Sequence, residues 1–170
     1  MLKKILALGL AALLLSPLVV RADADLIAQQ SVEINSSAKA VWALIKDFGR
    51  LQNWHPAFSS SVIKSGRRNA KGAIRTVTLN GESYEEELLK FDDKKMFFRY
   101  RILGDSPFPV TDYVSTMYVT KGQGGKTKVL WQGKFRNKPG SGKTDAEVTD
   151  LLNGTYKEGL DNLKALAEAS

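Results

Sequence analysis

The chain contains no cysteine, which removes disulfide frameworks, thiolate nucleophiles, zinc–thiolate sites, iron–sulfur ligation and covalent haem attachment together. It has one histidine, His55, so a metal site built from several imidazoles is excluded and any metal would rest on carboxylates and carbonyls alone. No metal and no cofactor is expected. Acidic residues are the minority among the charged ones, 18 against 25 basic, for a net charge of +7. Only one long hydrophobic run exists, at the N-terminus, so no later stretch is expected to span a bilayer. What remains is ordinary: 43% hydrophobic and 25% charged residues in 170 describe a globular chain of one domain.

The apolar run reads as an address. Lys3 and Lys4 precede Ile5 to Leu15, Ser16-Pro17 break the run, and Ala22-Asp23-Ala24 supplies a small-x-small cleavage site. Residues 1–24 are therefore expected to be a signal peptide cleaved near Ala22 or Ala24, leaving residues 25–170 as a single domain in an exported, periplasmic setting. The alternative is an uncleaved anchor, but Pro17 and Arg21 shorten the apolar helix below a comfortable span. Cleavage would remove Lys3, Lys4 and Arg21 against Asp23, so the mature chain stays mildly basic.

Ile27 to Ile34 has strand composition, and Asn35-Ser36-Ser37 then offers capping side chains to a helix in which Val41, Leu44, Ile45 and Phe48 recur at helical spacing. Gly49 is expected to end that helix, and Arg50 to His55 leaves room for one very short helix before Pro56. From there to about residue 136 the period becomes that of strands, with turn signals near Gly66, Asn80-Gly81, Asp92-Asp93, Gly104 to Pro109 and Gly122 to Gly125. Six strands fit, and short connections favour an antiparallel meander. Thr144-Asp145-Ala146-Glu147 matches a capping box. It opens a long helix whose apolar stripe is Val148, Leu152, Tyr156, Gly159, Leu160, Leu163 and Leu166. The expected fold is α+β: a curved seven-stranded antiparallel sheet around a long C-terminal helix, with two short helices after the first strand. Such a sheet diverges from a straight helix at one end, where a cavity is expected, bordered by the helix bearing Trp54 and the Pro107-Phe108-Pro109 loop.

Several fragments, in order, carry a resemblance across nearly the whole mature chain: Val41-Trp42, Asp47-Phe48-Gly49, Trp54-His55-Pro56, Gly72 with Arg75, Glu85 to Glu87, and Gly159-Leu160 with Leu163-Lys164. Together they resemble the START-like, Bet v 1-like (SRPBCC) helix-grip superfamily, named for polyketide cyclases and lipid-transfer domains. Within it an exported chain of this size is similar to the MxaD-type accessory proteins of methanol oxidation. That resemblance implies a periplasmic protein without a redox centre of its own, which assists the meeting of methanol dehydrogenase with its cytochrome c acceptor.

The candidate site residues each have a plain alternative. Trp54 either lines a ligand cavity or plugs the core. His55 is a candidate acid or base with no dedicated partner visible. So are the carboxylates Glu85 and Glu87, which alone of the Glu85 to Glu87 run can share a face. Arg75 shares an alternating face with Ala73, Val77 and Leu79, so it needs a carboxylate from Glu85, Glu86 or Glu87, or grips an anionic head group. Rows Met96, Phe98, Tyr100 and Ile102, then Tyr113, Ser115, Met117 and Val119, then Val129, Trp131, Gly133 and Phe135, are expected to face the helix. The ligand-cavity candidates are therefore Trp54, Phe58, Arg75, Tyr100, Tyr113, Met117 and Trp131, with the small Ser115 and Gly133 as hints of space. Gly125-Lys126-Thr127 and Gly142-Lys143-Thr144 lack the first glycine of a phosphate loop. Dispersed Lys and Arg suit acidic proteins or anionic lipid, or a simply solvated exterior, and not nucleic acid. Three readings stay open: an accessory protein acting on acidic partners, a carrier of a hydrophobic small molecule or lipid, and a cyclase-like or hydrolytic enzyme.

Overall fold

The structure, a computed structural model, describes residues 25–169; the expected signal peptide lies outside the described residues. Strand β1 (Leu26–Ile34) is followed by helix α1 (Ala38–Ile45) and a 3-10 turn (Leu51–Asn53). Then come β2 (Phe58–Ser65), β3 (Ile74–Leu79), β4 (Glu82–Asp92), β5 (Phe97–Leu103), β6 (Val110–Lys121), a second 3-10 turn (Gln123–Gly125), β7 (Thr127–Asn137) and α2 (Asp145–Glu168). The seven strands form one antiparallel sheet in the order β1-β7-β6-β5-β4-β3-β2. This is the helix-grip arrangement, curled around α2.

Local chemistry explains the joints. Ser37 Oγ accepts a hydrogen bond from Ala40 N at 3.2 Å and starts α1. The helix ends at Ile45, not at Gly49: Lys46 caps it, and Asp47-Phe48 leave in a turn where Gly49 N donates to Asp47 Oδ1 at 3.1 Å. Gly49 is required for room, since a Cβ there would stand 2.9 Å from Ile63 Cγ1. Between β3 and β4, Asn80 and Gly81 take φ of 52° and 85°, as a two-residue hairpin turn demands. That turn fixes Leu79 opposite Glu82 and hence Arg75 opposite Glu86.

Helix α2 opens on the capping box: Glu147 N donates to Thr144 Oγ1 at 3.3 Å and Thr144 N donates to Glu147 Oε2 at 2.7 Å. Its buried face is Val148, Leu152, Tyr156, Gly159, Leu160, Leu163 and Ala167. The expected stripe ends on Leu166, which is 37% exposed. At 3.6 residues per turn, the line through Leu160 and Leu163 continues to Ala167 instead. Each large apolar side chain on this face contributes about 1.5–3 kcal/mol by leaving water. Met96, expected in the inward row of β5, lies before that strand in a turn with φ of 52°.

Candidate functional site

Trp54, His55, Phe58, Arg75, Tyr100, Tyr113, Met117 and Trp131 are all buried. Trp54, at the end of the first 3-10 turn, is 2% exposed and sits 5.5 Å from the Trp131 ring centroid. Asn162 Nδ2 on α2 donates to Trp54 O at 2.9 Å, tying that turn to the helix. Phe58 meets the His55 ring edge-on at 4.6 Å. Trp131 lies stacked on Tyr156, with centroids 4.4 Å apart and 13° between planes. The Trp131 indole Nε1 donates to Ser115 Oγ at 2.9 Å and to Tyr100 Oη at 3.2 Å. Tyr113 and Tyr156 share a hydrogen bond between their hydroxyls at 2.6 Å. Burial keeps Tyr84, Tyr100, Tyr113 and Tyr156 protonated far above the usual phenol range.

The two positions read as hints of space are occupied. A Cβ on Gly133 would stand 2.1 Å from Tyr156 Oη, so the room left by the glycine is filled by the helix's tyrosine. Ser115 gives its room to the Trp131 indole. Beside them lies a void of about 10 Å³, at the lower limit for one water molecule. Phe58, Tyr100, Tyr113 and Trp131 border it, and so do Glu86, Tyr156 and Phe108. Trp54, Arg75 and Met117 belong to the surrounding packing. An open depression of about 410 Å³ lies outside, where β5 and β6 part beyond the Arg101–Val114 pair, and it shares Ile102 and Tyr113 with the inner void.

Arg75 and Glu86 face each other across β3 and β4, both 3% exposed. Nε and Nη2 of the arginine reach the same carboxylate oxygen, Oε2, at 2.6 Å each. Nη1 donates to Phe48 O at 2.7 Å, and the guanidinium lies over the Phe48 ring at 4.1 Å and 5.2 Å from the Tyr100 centroid. Loss of water pushes the Glu86 pKa up, against the pull of the Arg75 charge. The neighbours Glu85 and Glu87 point outward instead, to Lys64 and Arg101. The triplet is thus one interior carboxylate between two exterior ones, as strand alternation requires.

His55 is completely buried. Its Nε2 lies 3.0 Å from Thr155 O, and Ala57 N donates to Nδ1 at 3.3 Å. Because a carbonyl only accepts, Nε2 carries the proton and Nδ1 is the acceptor, so both ring nitrogens are committed. A Cβ on Gly159 would stand 2.3 Å from His55 Cδ2, so the glycine admits the imidazole against α2. Burial, aided by the Arg75 charge and opposed by the bond to Thr155, lowers its pKa to about 4. A proton-transfer role would require one of those backbone bonds to break. Among the described residues, no group of three or more His, Asp or Glu is placed to hold a metal ion.

With this geometry in place, comparison with known proteins fixes the class. Residues 26–168 match the family described as polyketide cyclase / dehydrase and lipid transport. The chain belongs to that family. Among solved structures it is similar to the Bacillus cereus protein XoxI, at 33% identity and a TM-score of 0.75 over 83% of this chain and 94% of that one. It is likewise similar to an uncharacterized protein of Bacillus thuringiensis, at 34% identity and a TM-score of 0.74 over 83% and 98% of the two chains. A Thermobifida fusca protein shares 26% identity with a TM-score of 0.71 over 81% and 90%. No curated protein matches the chain.

The buried charges make the interior testable in two ways. Glu86→Gln leaves the guanidinium without its counter-charge and should destabilise the fold by about 3–5 kcal/mol in urea titration, whereas the pair Arg75→Met with Glu86→Leu should recover most of that loss. For His55 the folded pKa lies below the unfolded value of 6.5, so its contribution is full above pH 6.5 and is lost as pH falls toward 4. Over that window the pH dependence of the native protein should differ from that of His55→Gln by a few kcal/mol, on the order of 1.4 kcal/mol for each tenfold change in proton affinity. Parallel stability curves for the two proteins would refute this assignment.

Proposed function

We propose that the protein is a non-catalytic periplasmic accessory protein of methanol oxidation, which assists electron transfer from methanol dehydrogenase to its cytochrome c acceptor. The observation that carries the non-catalytic part is the filled interior: a void of about 10 Å³ beside an imidazole engaged at both nitrogens. A molecule with that interior works through its exterior. The pathway itself is supported by the resemblance to MxaD-type proteins at the motifs named above and by the likeness to XoxI. The chain's excess of basic residues suits acidic partner surfaces, to which it would be drawn at long range.

A second reading, a carrier of a hydrophobic small molecule, is favoured by one observation. Ile102 and Tyr113 border both the inner void and the outer depression, so a small separation of β5 from β6 would join the two. No helix among the described residues is long and apolar enough to cross a membrane.

Adding the purified protein to methanol dehydrogenase and its cytochrome c should raise the rate of methanol-dependent cytochrome reduction. The effect should fade between about 0.01 and 0.15 M salt, as the screening length contracts from roughly 30 to 8 Å. An unchanged rate at every salt concentration rejects the accessory role. Native mass spectrometry of protein isolated without detergent should show the bare polypeptide; a co-purifying ligand of constant mass would transfer the conclusion to the carrier.

A further inference from the structure

The outward face of the sheet is not uniform. In-register pairing sets Phe97 beside Tyr118 and Tyr118 beside Leu130. The two rings stack at 5.5 Å with 25° between planes. Tyr118 is 36% exposed, while Phe97 and Leu130 are half-buried. In the adjoining row, just past a β-bulge between Leu88 and Lys90, Lys90 on β4 pairs with Arg99 on β5, and both are exposed. Lys90 Nζ leans over the Phe97 ring at 5.2 Å.

Like charges directly opposite each other in a sheet repel and cost stability unless a carboxylate intervenes. Elsewhere on this face one does. Glu85 meets Lys64, Glu87 meets Arg101 at 2.6 Å, and Asp25 meets Lys134 at 2.7 Å and Arg136 at 3.6 Å. Among the described residues neither Lys90 nor Arg99 forms an ion pair. The acid nearest in register is Asp92, opposite Phe97, and its Oδ1 accepts from Lys95 N at 2.9 Å. Lys94 and Lys95 in the same turn add further exposed positive charge.

We infer that the aromatic strip of Phe97, Tyr118 and Leu130, with Lys90 and Arg99 on its border, is a docking surface for an acidic protein face that presents an apolar side chain. An apolar centre within a charged rim is the anatomy of a protein interface. An acidic partner would supply the counter-charge that the fold withholds from Lys90 and Arg99, so the repulsion between them becomes a gain on binding. With Phe97 and Leu130 half-buried, the strip offers a small apolar contact suited to a protein face; insertion into a lipid surface calls for a larger exposed apolar area. The inference rests on the reading that this protein acts on acidic partners through its exterior, and it names the face that does so.

The test uses Arg99→Glu, Tyr118→Ala and, on the far side of the molecule, Lys157→Glu, each measured for thermal stability and for binding to purified methanol dehydrogenase and to its cytochrome c. Arg99→Glu gives Lys90 the missing carboxylate, so its Tm should equal or exceed that of the native protein while its affinity falls by about ten-fold and its salt dependence flattens. Tyr118→Ala should lose several-fold with the salt dependence kept. Lys157→Glu should bind as the native protein does. Native binding that survives both patch substitutions overturns this surface and leaves the accessory role standing. Failure of the native protein to bind either partner overturns both. Binding to phosphatidylglycerol vesicles but to neither protein, lost on Arg99→Glu, would overturn the protein partner in favour of a membrane surface.

Discussion

The stacking of Tyr156 on Trp131 sets how closely the long helix can approach the sheet, and the rest of the interior follows from that distance. The rings lie 4.4 Å apart, and the phenol oxygen beyond them is seated over Gly133, where any side chain would collide with it. A second close approach, Gly159 against the His55 ring, holds the helix one turn further on. With α2 drawn in at both points, the hollow that a curved sheet would otherwise leave is closed by aromatic rings. Their polar atoms then have no water to turn to. The Tyr113–Tyr156 pair and the bonds from Trp131 to Ser115 and Tyr100 are the internal partners that a closed hollow makes obligatory.

The same closure explains how a guanidinium survives in the core. Arg75 is held by Glu86 on the neighbouring strand, by the Phe48 carbonyl in the turn after α1, and by two ring faces. Dehydration of such a pair offsets much of its attraction, so its net contribution to stability is small even though losing one partner is costly. Its structural effect is positional. It joins β3, β4 and the α1–β2 connection at one point, and only one strand register brings the three together. His55 works comparably on the other side of the interior, joining the segment before β2 to Thr155 of α2 through Nε2 while Nδ1 accepts from Ala57 N within its own segment.

Most of the frame is visible in the sequence because it depends on local rules. Alternation defines the strands, Asn80-Gly81 fixes a hairpin, and Thr144 with Glu147 begins the last helix. The register of that hairpin even selects Glu86 over its neighbours as the partner of Arg75, four steps from the turn on each strand, although this requires knowing that the turn has only two residues. The features that local rules get wrong depend on contacts distant in sequence. A glycine in a strand looks like space until the tyrosine 23 positions later is placed over it. Gly49 resembles a helix stop because glycines often serve as one, yet its requirement comes from Ile63 on another element. Leu166 is the more hydrophobic candidate, but helical phase assigns the buried position to Ala167. The interior role of Glu86 and the border it forms with the void likewise depend on which strand face curls inward.

The two faces of the sheet resolve their charges by opposite means. Inside, most polar groups are matched, because an unmatched one is costly; Gln52 Oε1 and Ser61 Oγ are buried exceptions. Outside, water lowers the penalty enough that a pair of opposed cations can persist on β4 and β5. The row of Glu87 and Arg101 is compensated, and past the β-bulge between Leu88 and Lys90 the pair of Lys90 and Arg99 is not. Replacing either member with glutamate would be the simplest remedy, since the partner is already in register. Within the fold Lys90 has the face of the Phe97 ring at 5.2 Å, which offsets part of the repulsion; the remainder is what the proposed acidic partner would relieve.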